Sequence, residues 1–306
     1  MFPGAPISNR DRAIDTLGQG LDLLEQGDEA EAGRYFFKSV EVDPTYADGY
    51  NHLANIVWRK GDWKQAEGLY RKALECAEPE VKDIPKGVFW GVLGSRPYMR
   101  ALCGLGLTLW KLGRLEEAVS IFKRMLKLNP NDNQGIRYLM GPIHHEMRDF
   151  REACRWYERS KDDPHCLYNY GLSLVQQNRM EKAAKVLISA VFANPYIAPM
   201  LLGAKLPRSD WWHGINWAEP ACAEDYVATY ANWWRSEDRP LTFLRAVWDS
   251  EGVQGNLKDF IATRRAMKRA RTADERVNLR RAGDALCTPQ RVARMAAEIS
   301  KRFAQE

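Results

Sequence analysis

Residues 106–130 read GLTLWKLGRLEEAVSIFKRMLKLNP. Within them Gly106, Ala118, Phe122 and Pro130 stand 12, 4 and 8 residues apart, and the same offsets return as Gly20, Ala32, Phe36, Pro44 and as Gly171, Ala183, Leu187, Pro195. Two further copies deviate. Ala54, Ala66 and Tyr70 keep the spacing but reach Glu78 instead of proline, and Gly141, Ala153 and Tyr157 reach His165, with the proline one place early at Pro164. Recurrence at a fixed offset marks a chain built from stacked supersecondary units.

The spacing has a physical content. Small residues at Ala32, Ala66, Ala118, Ala153 and Ala183 let the second helix of each unit approach the first, and Phe36, Tyr70, Phe122, Tyr157 and Leu187 fill the space beside them. One such pair is too thin to bury its apolar face, so stacking on a neighbour is required. Gly27-Asp28, Gly61-Asp62 and Gly113-Arg114 end the first helix of three units, where a left-handed backbone stops the helix. Arg148-Asp149 and Asn178-Arg179 take that place in the last two. The pattern resembles the tetratricopeptide repeat, a two-helix unit of about 34 residues. That resemblance implies an all-α right-handed solenoid of about five helix pairs over residues 13–195, after an N-terminal arm at 1–12.

The register is interrupted twice. Ala54 to Gly106 is 52 residues where 34 are expected, and the excess lies in segment 81–98, which holds Pro85, Gly87, Phe89, Trp90, Gly91, Gly94 and Pro97 and reads as an inserted loop or lengthened helix pair. Gly141 to Gly171 is only 30, so the second helix of the fourth unit is expected to stop near Ser160. Gly141-Pro142 falls inside a predicted helix, where proline removes a donor and a kink is expected.

Past Tyr196 the repeat fades. Residues 196–250 hold six of the eleven tryptophans: Trp211, Trp212, Trp217, Trp233, Trp234 and Trp248. Trp233 and Trp234 are adjacent on a predicted helix and point in different directions, so one packs inward, and residues 196–251 read as a cap over the last repeat's apolar face. Asn194-Pro195-Tyr196-Ile197-Ala198-Pro199, a loop, then helices near 221–234 and 241–248 resemble the end of the repeats in the suppressor-of-tumorigenicity-seven family and related bacterial repeat proteins. The match covers about a sixth of this chain, and the membrane spans of the eukaryotic members have no counterpart here.

Residues 252–306 carry a net charge of +7, against −2 for the rest. Val292, Met295, Ala296, Ile299 and Phe303 fall at helical spacing, which predicts a basic amphipathic helical module. Arg264, Arg265, Lys268, Arg269, Arg271, Arg280 and Arg281 form a candidate basic patch for nucleic acid or an acidic partner. Asp259, Asp274, Glu275 and Asp284 dilute it.

Enzyme chemistry finds little support. His144 and His145 lie about 100° apart on a helix and cannot share a metal as an i, i+4 pair would. No phosphate-binding loop, G-x-S-x-G elbow or H-E-x-x-H occurs, and the six cysteines form no C-x-x-C pair. No cofactor or metal is expected. Without a signal-peptide pattern in residues 1–10 or an uncharged apolar run of membrane-spanning length, a cytoplasmic protein without membrane contact is predicted.

The tetratricopeptide resemblance implies a concave groove lined by the first helix of each unit. It assigns Asn51, Asn55, Trp58 and Arg59 to the second unit, Arg100, Trp110 and Lys111 to the third, Tyr138 and His145 to the fourth, and His165, Tyr168 and Leu172 to the fifth. Asn pairs with a ligand backbone, aromatics bury its side chains and Arg or Lys attracts its carboxylates. Of the residues that clamp a chaperone's C-terminal carboxylate in this family, Asn55 matches, whereas Asn51, Gly104, Gly135 and Leu139 do not, so that ligand is not expected. The expected function is a non-enzymatic adaptor that binds a protein or peptide segment. A second expected surface is segment 81–98, through Phe89 and Trp90.

Overall fold

The computed structural model describes residues 7–305, and among them every regular element is helical, with no strand. The chain divides between Ile143 and His144 into two compact units.

The first unit stacks helix pairs α1 (Asn9–Glu25) with α2 (Glu29–Val42), α3 (Ala47–Arg59) with α4 (Trp63–Val81), and α5 (Arg96–Lys111) with α6 (Leu115–Leu128). Residues 1–6 of the expected N-terminal arm lie outside the described residues. Its last part is helical, because Ser8 and Asp11 close a reciprocal capping box at the start of α1. Asp28 and Asp62 cap α2 and α4 by accepting from the backbone N–H groups of Glu31 and Gln65, each at 3.0 Å. The residue before each cap is left-handed, with φ of 86° at Gly27, 85° at Gly61 and 75° at Gly113. In the second unit the same turn is made by Arg148 (φ 58°) and Asn178 (φ 57°). α2, α6 and α10 (Met180–Ala193) each end two residues before Pro44, Pro130 and Pro195.

Pairing of α1 with α2 and of α5 with α6 rests on a missing side chain. A Cβ on Gly106 would lie 2.5 Å from Phe122 Cε1, and one on Gly20 would lie 2.6 Å from Phe36 Cε1, with both rings fully buried. The opposing alanines Ala32, Ala66 and Ala118 are likewise closed to solvent. Stacking between pairs uses the same device, with the Tyr70 ring of α4 occupying the space a Cβ on Gly104 of α5 would need.

Segment 81–98 is neither a bare loop nor a new helix pair. With Glu78 in place of the stop proline, α4 continues through Pro79 to Val81, and two short 3-10 turns, Lys86–Gly91 and Leu93–Ser95, lead into α5. Phe89 is buried with its ring centroid 6.1 Å from that of Tyr98, and the Ser95 hydroxyl donates to the carbonyls of Phe89 and Val92. Trp90 is half-buried under the Arg96 guanidinium. The expectation of a second surface through Phe89 and Trp90 is therefore corrected for Phe89, which the segment folds back into the core, while Trp90 stays half-buried and Val88 and Leu93 lie outside.

α7 (Arg137–Glu146) continues through Pro142 and crosses the division between the units. In the second unit α8 (Phe150–Tyr157) is only eight residues long and Pro164 opens α9 (Pro164–Gln176), as the shortened register requires. α9 pairs with α10, and the expected overlap at the glycine recurs between Gly171 and Leu187. There follow α11 (Ile197–Leu202), α12 (Pro220–Arg235), α13 (Asp238–Trp248), α14 (Glu251–Arg269), α15 (Ala273–Asp284) and α16 (Pro289–Phe303). α10 packs against both α13 and α16. Val292, Met295, Ala296 and Ile299 turn inward from α16, and Phe303 meets Phe243 edge-on at 4.9 Å. The boundaries expected at 195/196 and 251/252 thus fall inside one compact unit.

Replacing Gly106 with Ala forces a methyl into a closed ring contact, and the first unit should lose about 1–3 kcal/mol. Arg148→Gly relieves a left-handed non-glycine residue and should raise stability by about 1 kcal/mol. Denaturant midpoints at unchanged slope measure both.

Candidate functional site

α3 and α5 face the same side of the first unit and enclose a cleft of about 440 Å³. Five expected groove residues line it together: Asn51, Asn55, Trp58, Arg59 and Arg100. Tyr70, Cys103, Gly104, Leu107 and Gln134 complete the lining and were not assigned to it from sequence. Tyr70 enters because Gly104 lets its ring through, and the 34-residue step from Tyr70 to Gly104 was the signal available for that contact.

The polar groups of the cleft are held in fixed orientations. Asn51 is closed to solvent, and its Nδ2 donates to Asp48 Oδ1 at 3.1 Å and to the Pro97 carbonyl at 2.9 Å, which sets the amide's direction. Its Oδ1 is left without a partner. Gln134 Nε2 donates to the Met99 carbonyl at 3.4 Å, and again the Oε1 is buried and unpaired. Trp58 Nε1 is a third buried polar atom without a partner. Asn55 Oδ1 accepts from the Tyr70 hydroxyl at 2.6 Å, and burial raises the Tyr70 pKa above the ordinary phenol value. Arg100 forks onto Asp48 and Arg59 reaches Glu29 at 3.0 Å, so both cations arrive already paired. Burial pushes the Cys103 thiol up to about 11, which keeps it protonated and unreactive at neutral pH.

The other expected groove residues are placed differently. Trp110, Lys111 and Tyr138 are not among the residues lining the cleft. The Arg137 guanidinium sits over the Tyr138 ring at 4.3 Å. In the second unit, side chains of α12 occupy the inner face. His145 is buried, stacks on Trp233 with centroids 4.2 Å apart and bonds Ser173 Oγ through Nδ1 at 2.8 Å. His165 Nε2 bonds the Cys222 carbonyl at 3.0 Å and its ring meets Tyr226. Tyr168 is fully buried, donates to the Asn194 carbonyl at 3.1 Å and packs on Tyr226, and Leu172 is equally closed. Trp234 Nε1 donates to the Tyr226 hydroxyl, which donates to Asn169 Oδ1, each at 2.8 Å. His145, Tyr168 and Leu172 are therefore interior residues of the second unit, and His165 is half-buried against α12, because the chain's own helix covers the face that the repeat register leaves open.

The basic residues differ in exposure and pairing. Arg265 forks onto Asp210 and Arg264 is largely buried, whereas Lys268, Arg269, Arg271, Arg280 and Arg281 are exposed. Among the described residues no group of three or more His, Cys, Asp or Glu could hold a metal ion, and no helix is long and apolar enough to cross a membrane.

With this geometry in place, comparison with known proteins defines the class. Residues 17–80 and 99–132 match sequence profiles of the tetratricopeptide repeat, so the chain carries tetratricopeptide repeats over those residues. Such repeats typically serve as non-catalytic modules for protein–protein interaction. Anaphase-promoting complex subunit 3 of Schizosaccharomyces pombe is 26% identical over 168 residues, covering 53% of this chain and 20% of that protein. Type IV pilus assembly protein PilF of Pseudomonas aeruginosa is 25% identical over 170 residues, covering 49% of this chain and 66% of its own length. The chain thus spans a fifth of the first relative and just under two thirds of the second. Among solved structures, YrrB, described as a TPR protein with an unusual peptide-binding site, overlaps 58% of this chain and 84% of its own at 22% identity, with a TM-score of 0.46.

Burial, with Arg148 adding to it, pulls the His145 imidazole from 6.5 down to about 4. The folded ring stays neutral while the unfolded chain takes up a proton, so its contribution is complete above about pH 6.5 and is lost as pH falls toward about 4. The full loss is on the order of 3 kcal/mol. Urea unfolding at pH 7 and pH 4.5 should show a steep fall for the wild type and a flatter one for His145→Gln.

Proposed function

We propose that the protein is a non-enzymatic adaptor that binds an extended segment of a protein partner in the cleft between α3 and α5. The observation that carries this reading is the trio of buried, unpaired polar atoms in side chains that line the cleft: Asn51 Oδ1, Gln134 Oε1 and Trp58 Nε1. Each unmade bond costs about 1–3 kcal/mol. Two acceptors and one donor match the alternating N–H and C=O groups of an extended backbone, whose residues follow one another at about 3.3 Å. A purely apolar ligand would leave all three unsatisfied.

The charges support a segment without strong acidic character, because Arg100 and Arg59 already hold Asp48 and Glu29. Trp58 and Leu107 supply the apolar contact and the aromatic anchor typical of an interface hot spot. Both curated relatives are named for assemblies of proteins, which accords with a protein partner.

The test is selection from a random peptide library on the purified chain, followed by calorimetry. Selected peptides should lose at least about ten-fold in affinity on Trp58→Ala, equivalent to about 1.4 kcal/mol, and a comparable amount on Gln134→Ala. Retention of wild-type affinity by both folded variants would place the ligand elsewhere.

A further inference from the structure

The second unit contains a cleft of another chemical character. About 440 Å³ in volume, it lies among the end of α10, the loop through Trp211–Ile215, α14 and α15. Phe192, Trp211 and Phe260 form a buried aromatic wall, with Phe192 and Phe260 edge-on at 5.5 Å. At the rim Trp212 and Ile215 remain 43% and 58% exposed, an apolar lip that water solvates poorly.

Two guanidiniums line the same space. The Arg264 side chain is only 16% exposed, and its guanidinium carbon stands 5.0 Å from the Phe260 centroid and 5.8 Å from that of Trp212. Among the described residues it donates no hydrogen bond to a carboxylate: Asp284 Oδ1 is 3.6 Å away, and the sulfur of Met267 is at 4.0 Å. Asp284 also approaches Arg280, at 4.0 Å, so one half-exposed carboxylate is divided between two cations. Burial pulls the Arg264 guanidinium below its ordinary pKa. His213, also in the lining, meets the Tyr196 hydroxyl through Nε2 at 2.9 Å, and burial lowers its pKa, so it adds no lasting positive charge at neutral pH. No carboxylate lines the cleft among the described residues.

A guanidinium placed against ring faces keeps its N–H edge for an acceptor in its own plane, and a carboxylate matches that fork. Desolvated and paired only at 3.6 Å with an Asp284 that it shares with Arg280, Arg264 has no carboxylate seated in its fork. We propose that this cleft is a binding site for a small organic oxyanion with a flat apolar body, an arylcarboxylate being the simplest member. The ring lies between Trp212, Ile215 and the Phe260 wall, and the carboxylate lies on Arg264 with Arg280 at the rim. A bare inorganic anion would leave the aromatic lip exposed. A nucleic-acid strand is disfavoured because Lys268, Arg269, Arg271 and Arg281 do not line the space. The same chemistry is offered by a free aryl acid and by an aromatic residue at a peptide's C-terminus.

The experiment is calorimetry and tryptophan fluorescence on the full chain with phenylacetate, benzyl alcohol, inorganic phosphate, glycylphenylalanine and its amide. Phenylacetate should bind saturably, and benzyl alcohol and phosphate should bind about ten-fold more weakly or worse, each lacking half of the recognised chemistry. Arg264→Gln should reduce phenylacetate affinity by about the same factor. Trp212→Ala and Arg280→Gln alter exposed side chains and decide the matter if Arg264→Gln fails to fold. Glycylphenylalanine binding more tightly than phenylacetate, with its amide silent, identifies a chain terminus as the source, and the reverse order identifies a free acid. Absence of saturable phenylacetate binding in the millimolar range, equal binding of phosphate, or wild-type affinity in all the folded variants overturns the proposal.

Discussion

A bulky side chain seated where a neighbour has none is the contact from which the helix stacking follows. Phe36 on Gly20, Phe122 on Gly106 and Leu187 on Gly171 repeat it within helix pairs, and Tyr70 on Gly104 carries it from one pair to the next. Packing at interior density leaves no room for an added methyl at these points. It also explains why no pair stands alone: the side chain and the hollow that receives it belong to different helices. Tyr70 does more than fill space, since its hydroxyl holds Asn55 at the cleft while its ring holds α5 against α4.

Contacts between residues separated by a constant interval could be read from the chain. The 16-residue step from Gly106 to Phe122 is kept, from glycine or alanine to a bulky residue, in all five units, and the turn residues Gly27, Gly61, Gly113, Arg148 and Asn178 adopt the left-handed backbone that their positions in the register demand. Asn51, Asn55, Trp58, Arg59 and Arg100 meet in one cleft because α3 and α5 belong to consecutive regular pairs. What the register does not encode is what comes to lie on a face. Tyr226 and Trp233 meet His165 and His145 from far along the chain, with no periodicity linking them. Phe89 reads from sequence as part of a second binding surface, because an aromatic ring in a loop is costly to leave exposed, yet a short helical turn of its own brings it back to Tyr98.

The cleft and the relay around Tyr226 treat buried polarity differently. In the second, Trp234, Tyr226 and Asn169 form a relay in which the donors find acceptors, and His165 and Tyr168 end on backbone carbonyls. Satisfied networks of this kind rigidify an interior. In the first, amide groups fixed by one end keep the other end unpaired inside a lined cleft. The contrast concerns partnership of polar atoms and not hydrophobicity, since both faces carry tryptophan and tyrosine.

Asn51 is fastened to the Pro97 carbonyl in the first turn of α5, at the end of the longer of the two stretches that the repeat interval does not account for. The floor of the cleft is thereby anchored to an insertion whose residues do not themselves line it. Over evolutionary time such a segment is a tuning peg: lengthening or trimming it resets the amide's bearing, and under the proposed function partner preference would drift through changes of loop length while every residue lining the cleft stays the same.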